Sequence, residues 1–213
     1  LHLLSRRQRQ MCIRDRIKTP TNSRSAMQLY GSNDFMGQIN VASEILQFKS
    51  KELMRKVIDR LQANVSYMVY DGLRPRELYT EAPIRVAFMD AIPGERCFLS
   101  VIPKNQQQVE LAEFSKGTEL RRVVNLNDTV HTALGKLVVF AAENYGGDWM
   151  ERAVKVISHP QEDMVSFWLS NLTIRQMSGD AALLRITMDD WSPVRAADIL
   201  DMLITCLLYT SDA

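Results

Sequence analysis

Residues 186–204 read ITMDDWSPVRAADILDMLI, and this stretch decides the fold. Ile186 to Met188 end a short apolar run that reads as a strand. Asp189, Asp190 and Trp191 carry the chain into a turn. Ser192 is a good N-cap, because its hydroxyl can accept a hydrogen bond from an unsatisfied backbone N–H of the first helical turn. Pro193 then falls at the first helical position, where its missing N–H costs nothing and its fixed φ suits the helix. Ala196, Ile199, Leu200, Leu203 and Ile204 recur at helical spacing and define one apolar face. A strand running directly into a capped amphipathic helix predicts mixed α and β structure.

Working back from that helix, Thr173-Ile174 and Leu183 to Met188 read as two antiparallel strands around a Ser178-Gly179-Asp180 turn. Pro160 to Leu169 is helical in pattern. Val65 to Tyr70, Ile84 to Met89, Phe98 to Ile102, Val109 to Phe114, Gly135 to Ala142 and Val154 to Ser158 read as strands. For Gly135 to Ala142, LVVFAA is also compatible with a buried helical turn. Asp71-Gly72 is a turn signal, and Lys116-Gly117 closes a hairpin. Residues 39–64 read as helix, with one apolar patch at Ile45, Leu46 and Phe48 and a second at Leu53, Met54, Val57, Ile58 and Leu61. Ser50, between the patches, caps a second helix. Residues 17–38 read as an exposed loop. Helices flanking a central block of strands predict an α+β fold with a mainly antiparallel sheet, in a single domain.

The two ends read differently from the rest. Residues 1–16, LHLLSRRQRQMCIRDR, and the tail over 205–213 resemble translated sequencing-adapter DNA. They are set aside as a non-native leader and tail, and their deletion is expected to change stability little. The chain of 213 residues has 26 Lys plus Arg and 25 Asp plus Glu, a net charge of +1. The ends contribute five basic and two acidic residues, so residues 17–204 carry a net charge of −2. That balance shows no nucleic-acid footprint. A domain of this length buries about 70% of its unfolded surface. No apolar run reaches the ~20 residues that cross a bilayer. Cys97 is the one cysteine outside the ends, and in CFLSVI it reads as a small buried hydrophobe.

The order Asp190, Pro193, Arg195, Ala196, Asp198, Ile199 and Leu200 after a strand resembles the periplasmic domain of the polysaccharide co-polymerases, the Wzz-type chain-length determinants. The branch it is most similar to is that of the tyrosine autokinases of exopolysaccharide and capsule synthesis. Glu44-Ile45-Leu46 followed by Ser50, a hydrophobic helix and Val65-Ser66-Tyr67 is also similar to that family. So is Glu77-Leu78-Tyr79 followed by Pro83 and a strand. The likeness covers most of residues 39–90 and 171–204. It implies a periplasmic domain over residues 17–204, a fragment of an inner-membrane protein with a transmembrane helix on each side. It further implies a homo-oligomeric ring that works with a polysaccharide polymerase and export machinery, with growing glycan at or near it. The fragment itself would use no catalytic residue, cofactor or metal; in the autokinase branch a cytoplasmic kinase domain phosphorylates its own tyrosine tail.

Other chemistry has weaker signals. No G-x-x-x-x-G-K-[ST] or G-x-G-x-x-G occurs, so the kinase domain is not expected within this fragment. His131 and His159 lack the spacing of a zinc site. Asp189-Asp190 at a strand end is the pattern of a metal or acid–base dyad, but carboxylates before a helix N-terminus are also favoured by its dipole. Asn64, Asn127 and Asn171 begin glycosylation sequons, which matter only in a eukaryotic secretory setting. Of the three tryptophans, Trp149, after Gly146-Gly147, is the best placed for an exposed loop contact. The alternative to an assembly domain is a soluble α+β enzyme or small-ligand-binding domain with a pocket built from Asp189, Asp190, Arg195 and Glu44.

Overall fold

The computed structural model describes residues 9–16, 42–72, 74–90, 94–116, 121–177 and 183–211. In chain order the elements are β1 (Arg9–Arg16), α1 (residues 42–48), α2 (Lys51–Leu61), β2 (Val65–Asp71), β3 (Arg74–Glu77) and β4 (Ile84–Phe88). Then come β5 (Cys97–Pro103), β6 (Gln108–Ala112), β7 (Arg122–Asn125), β8 (Thr129–Thr132), β9 (Gly135–Ala141) and β10 (Val154–Ser158). The chain closes with α3 (Gln161–Asn171), β11 (Leu172–Gln176), β12 (Leu183–Asp190) and α4 (Pro193–Ser211). Among the described residues all strand pairs are antiparallel, in three sheets. The α+β class and the antiparallel character are therefore as expected. Two compact units divide the chain, one formed by residues 1–57 and 165–213 and the other by residues 58–164, with the divisions falling inside α2 and α3.

In the first unit, β12 is the centre strand of a sheet ordered β1-β12-β11. Its alternation sends Leu184, Ile186, Met188 and Asp190 to the buried side. Helix α4 packs on this sheet, with Ala196, Ile199, Leu200, Leu203, Cys206 and Leu207 buried at helical spacing. Each large apolar side chain on that face contributes about 2 kcal/mol by leaving water. Ser50 caps α2 as expected: Leu53 N–H donates to its Oγ at 3.4 Å. Leu53, Met54, Val57 and Ile58 are buried, but the α1 patch divides. Phe48 is buried while Leu46 is 71% exposed, because neighbours at i and i+2 on a helix do not share a face.

At the N-terminal end, Arg9–Arg16 pairs with β12 along its whole length, from Arg9 opposite Asp190 to Arg16 opposite Leu183. Cys206 and Leu207 are buried as the last turns of the α4 face. Deleting the tail removes buried apolar surface, which favours a loss of stability over the small change expected from the sequence.

The second unit holds a six-stranded sheet, β3-β2-β10-β5-β6-β7, and a three-stranded sheet, β4-β9-β8. Side chains of both enter one apolar core, including Val69, Leu99, Val101, Leu111 and Val156 from the first and Ile84, Val86, Leu137 and Val139 from the second. Asp71-Gly72 begins the expected turn: Asp71 pairs with Arg74, and Gly72 has φ of +66°. Strand β3, which the sequence reading missed, contains Pro75; it lies at a sheet edge, where a residue without an N–H is tolerated. Strands β7 and β8 were also missed. Each is four residues long, and only Val124 and Val130 in them are buried, so neither shows a period of two. Gly135 opens β9, resolved as a strand rather than a helical turn. Its φ is +98°, and a Cβ there would sit 2.7 Å from the carbonyl oxygen of Asp90, so no side chain fits. The Ser178–Asp180 turn, the loop over residues 17–38 and Gly117 lie outside the described residues.

Candidate functional site

Most residues of the expected signature build two small structural nodes. The first is the strand-to-helix turn at Asp190. Strand alternation decides which aspartate is buried: Asp190 has the parity of Ile186 and Met188, whereas Asp189 is half-buried on the other face. The Asp190 carboxylate accepts two hydrogen bonds from Arg195, Nε to Oδ2 at 2.7 Å and Nη2 to Oδ1 at 2.9 Å. It also accepts the Trp191 N–H at 2.6 Å. The Asp190 side chain has no exposed surface and that of Arg195 has 5%. Such a forked, charge-assisted pair fixes the direction of both side chains. Ser192 closes the node as an N-cap, its Oγ accepting the Arg195 N–H at 3.3 Å. Pro193 stands at the first helical position and Ala196 is buried on the α4 face. The Arg195 guanidinium lies 5.2 Å from the ring centre of Trp168, a fully buried residue of α3.

Ser192→Ala should therefore destabilise the chain by about 1 kcal/mol, the usual effect of losing an N-cap. Urea unfolding checks this, and an unchanged midpoint would show that the cap does not hold α4.

The second node is at Glu77. Its Oε1 accepts the N–H of Tyr67 at 3.0 Å and of Tyr79 at 3.3 Å. This holds Tyr79 in a left-handed conformation, φ +46°, at the start of a 3₁₀ turn over Tyr79–Glu81. The Tyr79 carbonyl in turn accepts Arg85 Nη1 at 2.8 Å. Leu78 is buried in the core, and the buried Pro83 offers its carbonyl to Ala142 N–H at 2.8 Å. Tyr67 Oη accepts the N–H of Val86 at 3.0 Å, and burial pushes its phenol above the ordinary range. Glu44 and Ile45 are half-buried on α1, and Ser50 caps α2.

Of the four residues of the alternative pocket, the structure joins Asp190 and Arg195 directly. Glu44 and Asp189 are each half-buried. Asp198 is half-buried and Ile199 fully buried on α4. Cys97 is buried, which raises its thiol above the ordinary range, as its apolar setting leads one to expect. Among the described residues, no group of three or more His, Cys, Asp or Glu is placed to hold a metal ion. The tryptophan reading is revised: Trp149 is half-buried against the core with Arg152 over its ring, and Trp191 is the exposed one at 65%. Trp149 follows two glycines but turns inward, whereas Trp191 lies between the buried Asp190 and Ser192 in the turn.

A cleft of about 320 Å³ in the second unit is lined by Tyr70, Ser100, Glu113, Arg152 and Lys155, among others. Its polar groups are engaged within the protein. Ser100 Oγ donates to Glu113 at 2.5 Å, Arg152 lies 5.1 Å from the Trp149 ring centre, and Lys155 Nζ lies 4.1 Å from that of Phe98. A smaller cleft of about 160 Å³ in the first unit is lined by Ser50, Leu53, Lys56 and Leu207, among others. No protein family matches the chain, and no curated protein is similar to it in sequence. Among the described residues, no helix is long and apolar enough to cross a membrane.

Proposed function

We propose that this chain is the periplasmic assembly domain of an inner-membrane polysaccharide co-polymerase that sets the length of a cell-surface glycan and couples it to export. The observation that carries the reading is the turn at residues 186–204. There, Asp190, Pro193, Arg195, Ala196 and Ile199, the residues of the family resemblance, are the ones that build and bury the turn. Glu77, Leu78, Tyr79 and Pro83 likewise support a hairpin and a 3₁₀ turn. A domain whose signature is a framework works by holding shape. In this reading it positions identical subunits in a ring beside the polymerase and export machinery. It uses no cofactor, and glycan length follows from that geometry. The parent chain belongs to the autokinase branch, with its kinase domain on the cytoplasmic side.

The test is an unbroken read of the coding DNA on both sides, followed by deletion of the gene and sizing of the surface polysaccharide. An apolar stretch of about 20 residues on each flank and a shifted glycan length distribution are the expected results. A P-loop downstream identifies the autokinase branch. Flanks without apolar stretches, together with unaltered glycan, would overturn the proposal.

A further inference from the structure

The face of the β1-β12-β11 sheet opposite α4 carries a pair of arginines: Arg185 of β12 is directly opposite Arg175 of β11. Directly paired residues of antiparallel strands point to the same face, with Cβ atoms about 5 Å apart. Like charges in that arrangement repel, and the sheet as it stands does not offset them. Neither Arg175 nor Arg185 makes an ion pair with a described carboxylate. Asp189, the acidic residue on the same face of β12, is four residues along the strand, roughly 13 Å away.

A second observation is independent of the charges. Arg185 Nε is buried and has no hydrogen-bond acceptor among the described residues, in a side chain that is otherwise half-buried. Buried polar atoms are nearly always satisfied, so a buried donor beside a second cation suits an acceptor that carries negative charge. Thr173 and Thr187 are paired one step along the same face; the Thr187 hydroxyl donates to the Thr173 carbonyl at 3.5 Å, and the exposed Thr173 hydroxyl is a further donor.

We propose that Arg175 and Arg185 form an anion site that takes a phosphate group. Two guanidinium forks side by side match the oxygens of a phosphate, which accepts from several N–H donors at once. The site goes beyond the assembly reading and does not depend on it. The phosphate can be inorganic or can belong to a lipid headgroup, and the experiment separates these sources.

The full chain is titrated with inorganic phosphate at constant ionic strength, balanced with chloride. Thermal unfolding and the NMR signals of the arginine Nε–H groups are followed. Flotation with phosphatidylglycerol vesicles against phosphatidylcholine vesicles forms the second arm. The expected result is a saturable rise of the unfolding temperature and a shift of the Arg185 Nε–H signal. Arg175→Gln should weaken binding about tenfold, the scale of one charge-assisted contact. Arg175 is exposed, so this variant keeps the fold. Without phosphate it should unfold at the same or a higher temperature than the parent chain, because a repulsion has gone; with phosphate it should unfold lower. Flotation with the anionic vesicles alone, lost in Arg175→Gln, would support the same site with a lipid headgroup as source. The proposal is overturned if neither phosphate nor vesicle binds. It is equally overturned if binding is unaffected by Arg175→Gln and Arg185→Gln, or if Arg175→Gln lowers the unfolding temperature equally with and without phosphate.

Discussion

Arg195→Leu should destabilise the protein by about 3–5 kcal/mol, the range for breaking a buried ion pair by removing one partner. The reason is the carboxylate left behind. Asp190 has no exposed side-chain surface, and without Arg195 its charge loses a forked pair of donors and keeps the Trp191 N–H. The measurement is the urea midpoint, read with an unchanged slope so that the loss belongs to the native state. The double variant Asp190→Leu/Arg195→Leu should recover much of the loss, because no charge then stays buried. A loss below about 1 kcal/mol for the single variant, typical of exposed pairs, would mean that the pair does not hold the turn.

Trp168→Ala is the second large effect, expected at about 3–5 kcal/mol for deleting a large buried aromatic side chain. Trp168 has no exposed surface, and its indole Nε1 has no hydrogen-bond partner among the described residues. Trp168→Phe should therefore cost far less, since mainly volume changes and no hydrogen bond is lost. The ring also lies against the Arg195 guanidinium at 5.2 Å. The effects of Trp168→Ala and Arg195→Leu should then be non-additive in a double-mutant cycle, because the two side chains share a contact. Additivity within about 0.3 kcal/mol would show that the ring acts as packing alone.

The strand-to-helix turn was legible in the sequence because its signals are local. Ser192 followed by Pro193 marks a helix start whatever surrounds it, and the hydroxyl does accept the Arg195 N–H. Ser50 is the same case at α2. Strands with several buried residues of one parity, such as Ile84–Phe88 and Val154–Ser158, were read close to their observed bounds. Strands β3, β7 and β8 were not, since at sheet edges only one residue or none faces the core and the alternation vanishes.

The candidate site was legible in part. The sequence reading took Asp189-Asp190 as a pair, although parity with Ile186 and Met188 is a local signal that Asp190 is the one facing inward. Nothing local said that Arg195 would turn back to meet it with Trp168 behind.

The sequence by itself determined the α+β class, the caps of two helices, the apolar face of α4 and the segments on which the family resemblance rests. Each depends on residues within a few positions of one another, where backbone geometry alone decides who shares a face. Only the tertiary structure decided that Arg9–Arg16 pairs with β12, that Trp191 is exposed while Trp168 is buried, and that Arg175 and Arg185 stand side by side. Those facts depend on strand register and on packing between distant segments, which follow from the free energy of the whole fold rather than from any short run of residues.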